Sequence, residues 1–127
     1  MESYIDQRIT YGIIEKAALH RSIIHRYAQR VPELEFSWEC EFQETAHGYF
    51  EQHIPDILFM NLRQLPWQVD SLLRPIFSEH PGIIITSGFY PDQLNNVPFK
   101  PLAFLQKPFS FEKFAASIHR FKQLHIH

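Results

Sequence analysis

Five short apolar stretches, Ile9–Ile14, Leu34–Trp38, Asp56–Asn61, Gly82–Ser87 and Leu102–Gln106, punctuate this chain. They recur roughly every twenty to twenty-five residues, which leaves room for one helix in each gap. Ile57-Leu58-Phe59-Met60 and Ile83-Ile84-Ile85 are apolar without a break. An unbroken run suits a strand covered on both faces, as in a parallel sheet clad by helices; a sheet with one wet face alternates instead. The intervening segments carry helical stripes: Leu19, Ile23, Ile24 and Tyr27, then Phe42, Ala46, Tyr49 and Phe50, and finally Phe111, Phe114, Ala115, Ile118 and Phe121. Pro55 closes the second stripe, and Ser110 is suited to cap the last. A third helix is expected over about Trp67–Phe77, kinked or shortened by Pro75. Between Phe89 and Pro101, three prolines and Asn95-Asn96 leave room for about one helical turn. Strands alternating with helices imply right-handed crossovers. The expected fold is α/β: a five-stranded, doubly wound (βα)5 sandwich with its fourth helix shortened.

The 127 residues fit one domain, 1–127, with its core over about 9–124. Formal net charge is −2 and the twelve basic residues are scattered, which argues against a nucleic-acid surface. No apolar run approaches the roughly 20 residues that span a bilayer, and Met1–Gln7 has no signal-peptide pattern. The single cysteine, Cys40, follows the second strand as a packed or edge thiol without an internal disulfide partner. The eight histidines show no convergent metal-binding spacing. A reducing, cytoplasmic setting is the expectation.

Doubly wound sheets place ligands beyond the carboxyl ends of their strands. Here those ends carry Glu15-Lys16, Asn61, Thr86-Ser87 and Lys107-Pro108. Together with Pro55-Asp56-Ile57-Leu58-Phe59-Met60-Asn61, Ile83–Ser87, Glu44-Thr45-Ala46 and Phe104-Leu105-Gln106-Lys107-Pro108-Phe109, the pattern resembles the response-regulator receiver family (CheY-like, flavodoxin-type). The resemblance covers about residues 9 to 124, and its flavour is similar to receivers of LytTR-type regulators. It implies a site in which two acids after the first strand and an aspartate after the third hold Mg²⁺. That aspartate accepts the phosphoryl group, which a hydroxyl after the fourth strand and a lysine after the fifth then contact.

Carried over by position, Thr86 and Lys107 are retained, as is one acid, Glu15. Lys16 stands at the second acidic position and Asn61 at the acceptor. An amide has no anionic oxygen with which to attack phosphorus, and Mg²⁺ prefers anionic oxygens. Two lost carboxylates and one gained ammonium change the formal charge by +3. A like charge 4 Å away costs roughly 4 kcal/mol at an effective dielectric near 20, so Mg²⁺ binding is expected to be weak or absent. Pro66 falls five residues after Asn61 where the family has proline at four, consistent with an insertion around Gln64-Leu65.

The expected role is therefore a non-enzymatic pseudo-receiver, a signalling module that works by protein contact without phosphorylation. Lys16 is expected either to stand in for the metal, pairing with Glu15 and Asn61, or to be an exposed loop lysine. Lys107 is expected to reach Glu15. Phe104 matches the family's switch aromatic, although phenylalanine at such a spacing is usually core. A homodimer is expected through the face made by the fourth connection, fifth strand and last helix, using Tyr90, Phe99, Phe104 or Phe111. The alternatives are an anion sensor built on Lys16, Lys107, Thr86 and Ser87, an atypical receiver that is still phosphorylated, and the regulatory part of a transcription factor.

Overall fold

A computed structural model describes residues 8–62, 69–90, 92, 97 and 99–125. Strands β1 (Ile9–Ile14), β2 (Leu34–Cys40), β3 (Ile57–Leu62), β4 (Ile83–Ser87) and β5 (Ala103–Gln106) form one parallel sheet in the order β2-β1-β3-β4-β5. The described helices are α1 (Ala18–Ala28), α2 (Gln43–Gln52), α3 (Arg74–Glu79) and α4 (Phe111–His125). This is the expected doubly wound sandwich. Strand order reverses between β1 and β3, the point at which such sheets open a crevice.

Both faces of the sheet are covered. Ile9, Tyr11, Ile13, Ile57, Phe59 and Ile84 pack with Ile24 and Ala28 of α1 and with Phe114, Ile118 and Phe121 of α4. Leu58, Met60, Ile83 and Ile85 pack with Ala46 and Phe50 of α2 and with Phe77 of α3. The continuously apolar runs of β3 and β4 thus feed two cores, one side chain to each in turn. The Phe114 ring stacks on Phe59 at 5.3 Å between centroids, and each such buried side chain is worth about 1.5–3 kcal/mol.

Three local expectations change. Of the helix expected over Trp67–Phe77, residues 69–73 are loop and turn and α3 begins at Arg74, while Trp67 and Gln68 lie outside the described residues. Pro75 lies in its first turn, where a missing N–H has no intrahelical partner to lose, so proline starts this helix rather than kinking it. Strand β2 runs on to Cys40, which is buried within the strand and not beyond it. Trp38 anchors this extension, packing on Phe50 and donating from Nε1 to the His53 carbonyl at 3.0 Å. Pro66 with the Gln64-Leu65 insertion, and residues 91, 93–96 and 98 of the fourth connection, lie outside the described residues.

The far end of the sheet is tied by Asp56, which precedes β3. Its Oδ2 accepts from the Thr10 backbone at 3.0 Å and the Thr10 hydroxyl at 3.1 Å. Its own N–H donates back to Thr10 Oγ1 at 2.9 Å. Asp56 is thereby fixed as a structural residue away from the strand carboxyl ends.

Candidate functional site

Register gathers the conspicuous side chains at one edge. Ile14 pairs with Met60, so Glu15 and Asn61 follow side by side where β1 and β3 end. Asn61 pairs with Thr86, Ser87 pairs with Gln106, and the Lys107 N–H donates to the Ser87 carbonyl at 2.7 Å. The Lys107–Pro108 peptide is cis.

Glu15 is the centre of the arrangement. Its side chain is only 3% exposed, and an unpaired carboxylate there would be costly. Lys107 Nζ donates to Oε1 at 2.6 Å, and the Ala17 N–H donates to Oε2 at 2.9 Å. The same ammonium donates to His20 Nδ1 at 2.7 Å. An ammonium has no acceptor to offer, so His20 presents a bare Nδ1 to it and carries its ring proton on Nε2.

The Glu15-Lys16 turn is held from the α1 side. Arg21 donates to the carbonyls of Glu15 at 2.6 Å and Lys16 at 2.9 Å, and its Nε lies 3.3 Å from Glu39. Glu39 also contacts His25 Nε2 at 2.7 Å, and His25 Nδ1 meets the Tyr11 hydroxyl at 2.8 Å. Burial, with Glu39 nearby, pushes the Tyr11 hydroxyl up to about 12. With its backbone pinned, Lys16 is exposed and places Nζ 6.0 Å from the centroid of the Phe42 ring. Of the two expectations for Lys16, the exposed loop lysine is the one found: Lys107, 92 residues away in sequence, supplies the charge that faces Glu15.

Asn61 is half-buried and makes no side-chain hydrogen bond among the described residues. It shares an open cavity of about 430 Å³ with Glu15, Lys16, Ala17, His20 and Lys107. Thr86 and Ser87 do not line it. Thr86 instead lines a second cavity with His20 and Lys107. The Ser87 hydroxyl donates to the Leu62 carbonyl at 2.9 Å and accepts from the Phe89 N–H at 3.0 Å. Lys16, Lys107, Thr86 and Ser87 therefore do not converge on a single anion, contrary to that alternative. His20 and Lys107 line both cavities.

The aromatic candidates separate. Tyr90 is 62% exposed. Phe104, opposite Ile85 in β5, and Phe99 are half-buried against the α2–α3 core. Phe111 packs on the other core, 5.7 Å from the Tyr27 ring, with the Arg30 guanidinium 3.7 Å above it. Two site residues escaped the sequence reading. His20 and Arg21 lie off the apolar stripe of the first helix, yet α1 begins only three residues after Glu15, so its first turn faces the strand ends.

No family model matches the sequence, and no curated protein matches it. Solved structures do resemble it. A mutant of the anti-anti-sigma factor PhyR from Bartonella quintana aligns with a TM-score of 0.74 and 16% identity, over 97% of this chain and 53% of that one. The chain thus spans about half the length of that PhyR structure. The response regulatory domain of mrkE from Klebsiella pneumoniae gives a TM-score of 0.74 and 12% identity, covering 91% of this chain and 97% of that one. The signal receiver domain of the putative response regulator NarL from Mycobacterium tuberculosis gives 0.70 and 15%, over 89% and 94%. With its strand order and the placement of Glu15, Asn61 and Lys107 at the strand ends, the chain has the fold of response-regulator receiver domains.

Proposed function

We propose that this domain is a pseudo-receiver: a signalling module that works by protein contact and takes no phosphoryl group at Asn61. The observation that carries this reading is the Lys107–Glu15 pair beside a neutral amide. Both Glu15 oxygens are engaged within the protein, and Asn61 contributes no charge. Among the described residues, no group of three or more His, Cys, Asp or Glu side chains gathers to hold a metal. That donor set does not fit Mg²⁺, which seeks open, anionic oxygens. The test is exposure to acetyl phosphate with Mg²⁺: an unchanged intact mass is expected.

The partner in this reading is a protein, and a second copy of the chain is the first one to test. Tyr90 stands exposed beside the end of β4, and among the described residues β5 is an edge strand of the sheet. Exposed aromatics and open strand edges are common points of association. Sedimentation is expected to show a dimer that Tyr90→Ala weakens; a strict monomer at high concentration contradicts it.

A further inference from the structure

The second cavity, about 380 Å³, opens between α1 and the loop from β5 to α4. Its volume falls within the roughly 300–1,000 Å³ of small-molecule sites. Ile23, Ile24, Tyr27, Pro108 and Phe109 give it apolar walls. The loop wall is fixed in place, because the Tyr27 hydroxyl donates to the Phe109 carbonyl at 3.0 Å and the two rings meet at 5.9 Å.

Two polar groups break this apolar lining in a way the fold does not use. Thr86 is 1% exposed, and its Oγ1 is a buried side-chain oxygen without a hydrogen-bond partner. A buried hydroxyl left unpaired costs about 1–3 kcal/mol. Thr86 does not line the asparagine cavity. At the exposed side, Arg26 lines the same cavity and makes no described ion pair or hydrogen bond. Lys107, the other cation there, is already matched by Glu15.

An apolar body, an inner hydrogen-bonding group and an outer cation define complementary chemistry. We propose that this cavity binds a small aromatic carboxylate, its ring against Ile23, Ile24 and Phe109. A polar atom at the ring's inner end meets the Thr86 hydroxyl, and the carboxylate pairs with Arg26. A threonine hydroxyl both donates and accepts, so either a ring N–H or a ring hydroxyl satisfies it. An inorganic anion is a poor fit, since most of the lining is apolar and the Lys107 ammonium is already matched by Glu15.

The test is a titration of the whole chain, with labelled isoleucine and threonine methyl groups, followed by NMR. Indoleacetate and hydroxyphenylacetate supply the polar ring atom, naphthaleneacetate lacks it, and tryptamine reverses the charge. Saturable shifts at Ile23, Ile24 and Thr86 are expected with the first two acids. Naphthaleneacetate should bind about tenfold more weakly, the worth of one hydrogen bond, and tryptamine more weakly still. Thr86→Val, which keeps the volume, should erase the difference between indoleacetate and naphthaleneacetate; Arg26→Gln should weaken both. No saturable shift with either polar acid overturns the proposal. So do shifts centred on Glu15 and Asn61, or affinities unchanged in both variants.

Discussion

Lys107 Nζ lies 2.6 Å from Glu15 Oε1, so the end of β5 neutralises the acid at the end of β1. With Glu15 3% and Lys107 17% exposed, the pair is largely removed from water. Its gain over an apolar pair is small, but breaking it strands a buried charge. Lys107→Met is therefore expected to destabilise the fold by about 3 kcal/mol, read from urea unfolding. Adding Glu15→Gln should recover much of the loss, and a double variant as unstable as the single one contradicts the pairing.

Gly82 fills a position where a side chain has no room. A Cβ there would come within 2.1 Å of the Asp56 carbonyl oxygen and 3.1 Å of the Phe121 ring. The neighbouring atom is backbone, held by Leu58 N–H donating to the Gly82 carbonyl at 2.9 Å. Gly82→Ala should cost at least about 1–3 kcal/mol, the usual penalty of overpacking. A thermal midpoint equal to that of the parent would show that the strand entrance yields easily.

The same entrance contains a pH-sensitive histidine. His80 Nε2 donates to the Pro55 carbonyl at 2.6 Å, while Nδ1 accepts from the Gly82 N–H at 2.9 Å, so the neutral ring uses both nitrogens. Burial holds its pKa below the ordinary value of 6.5, only partly offset by the Pro55 hydrogen bond and Asp56. The unfolded chain thus takes up a proton that the folded chain refuses. This contribution is complete above about pH 6.5 and is lost as pH falls toward the folded pKa. His80→Gln should lower stability at pH 7 yet flatten its decline between about pH 7 and 5. Parallel declines in parent and variant would assign the acid sensitivity elsewhere.

Cys40 should be chemically quiet. Burial raises its thiol pKa, outweighing the hydrogen bonds from Thr45 and to Phe42 and the nearby Arg21 charge. The reactive species is the thiolate, so iodoacetamide should label the native protein many-fold more slowly than the urea-unfolded chain. Equal rates would place the thiol at the surface.

Much of this architecture was legible before any coordinates. Unbroken apolar runs at Ile57–Met60 and Ile83–Ile85 announced strands covered on both faces, and strand spacing then dictated the strand-end residues. Glu15, Asn61 and Lys107 do meet, because a parallel sheet brings all strand ends to one edge. Side-chain direction was not legible. Lys16 follows Glu15 directly and yet points over Phe42, because Arg21 pins its carbonyl from α1. Thr86 lines a cavity other than the one Asn61 lines, although the two residues pair across β3 and β4. Pro75 reads as a helix breaker in a stripe beginning at Trp67; once the helix begins at Arg74 the same residue is a starter.

The central claim is that Asn61 and the Lys107–Glu15 pair leave no place for a phosphoryl group. Its most direct measurement is the intact mass of the wild-type chain after incubation with acetyl phosphate and Mg²⁺, beside the Lys16→Asp/Asn61→Asp variant treated identically. The wild-type mass should be unchanged, while the variant, with its acids restored, should gain one phosphoryl group. A wild-type chain that gains a phosphoryl group on a peptide spanning Glu15 or Asn61 would contradict the claim.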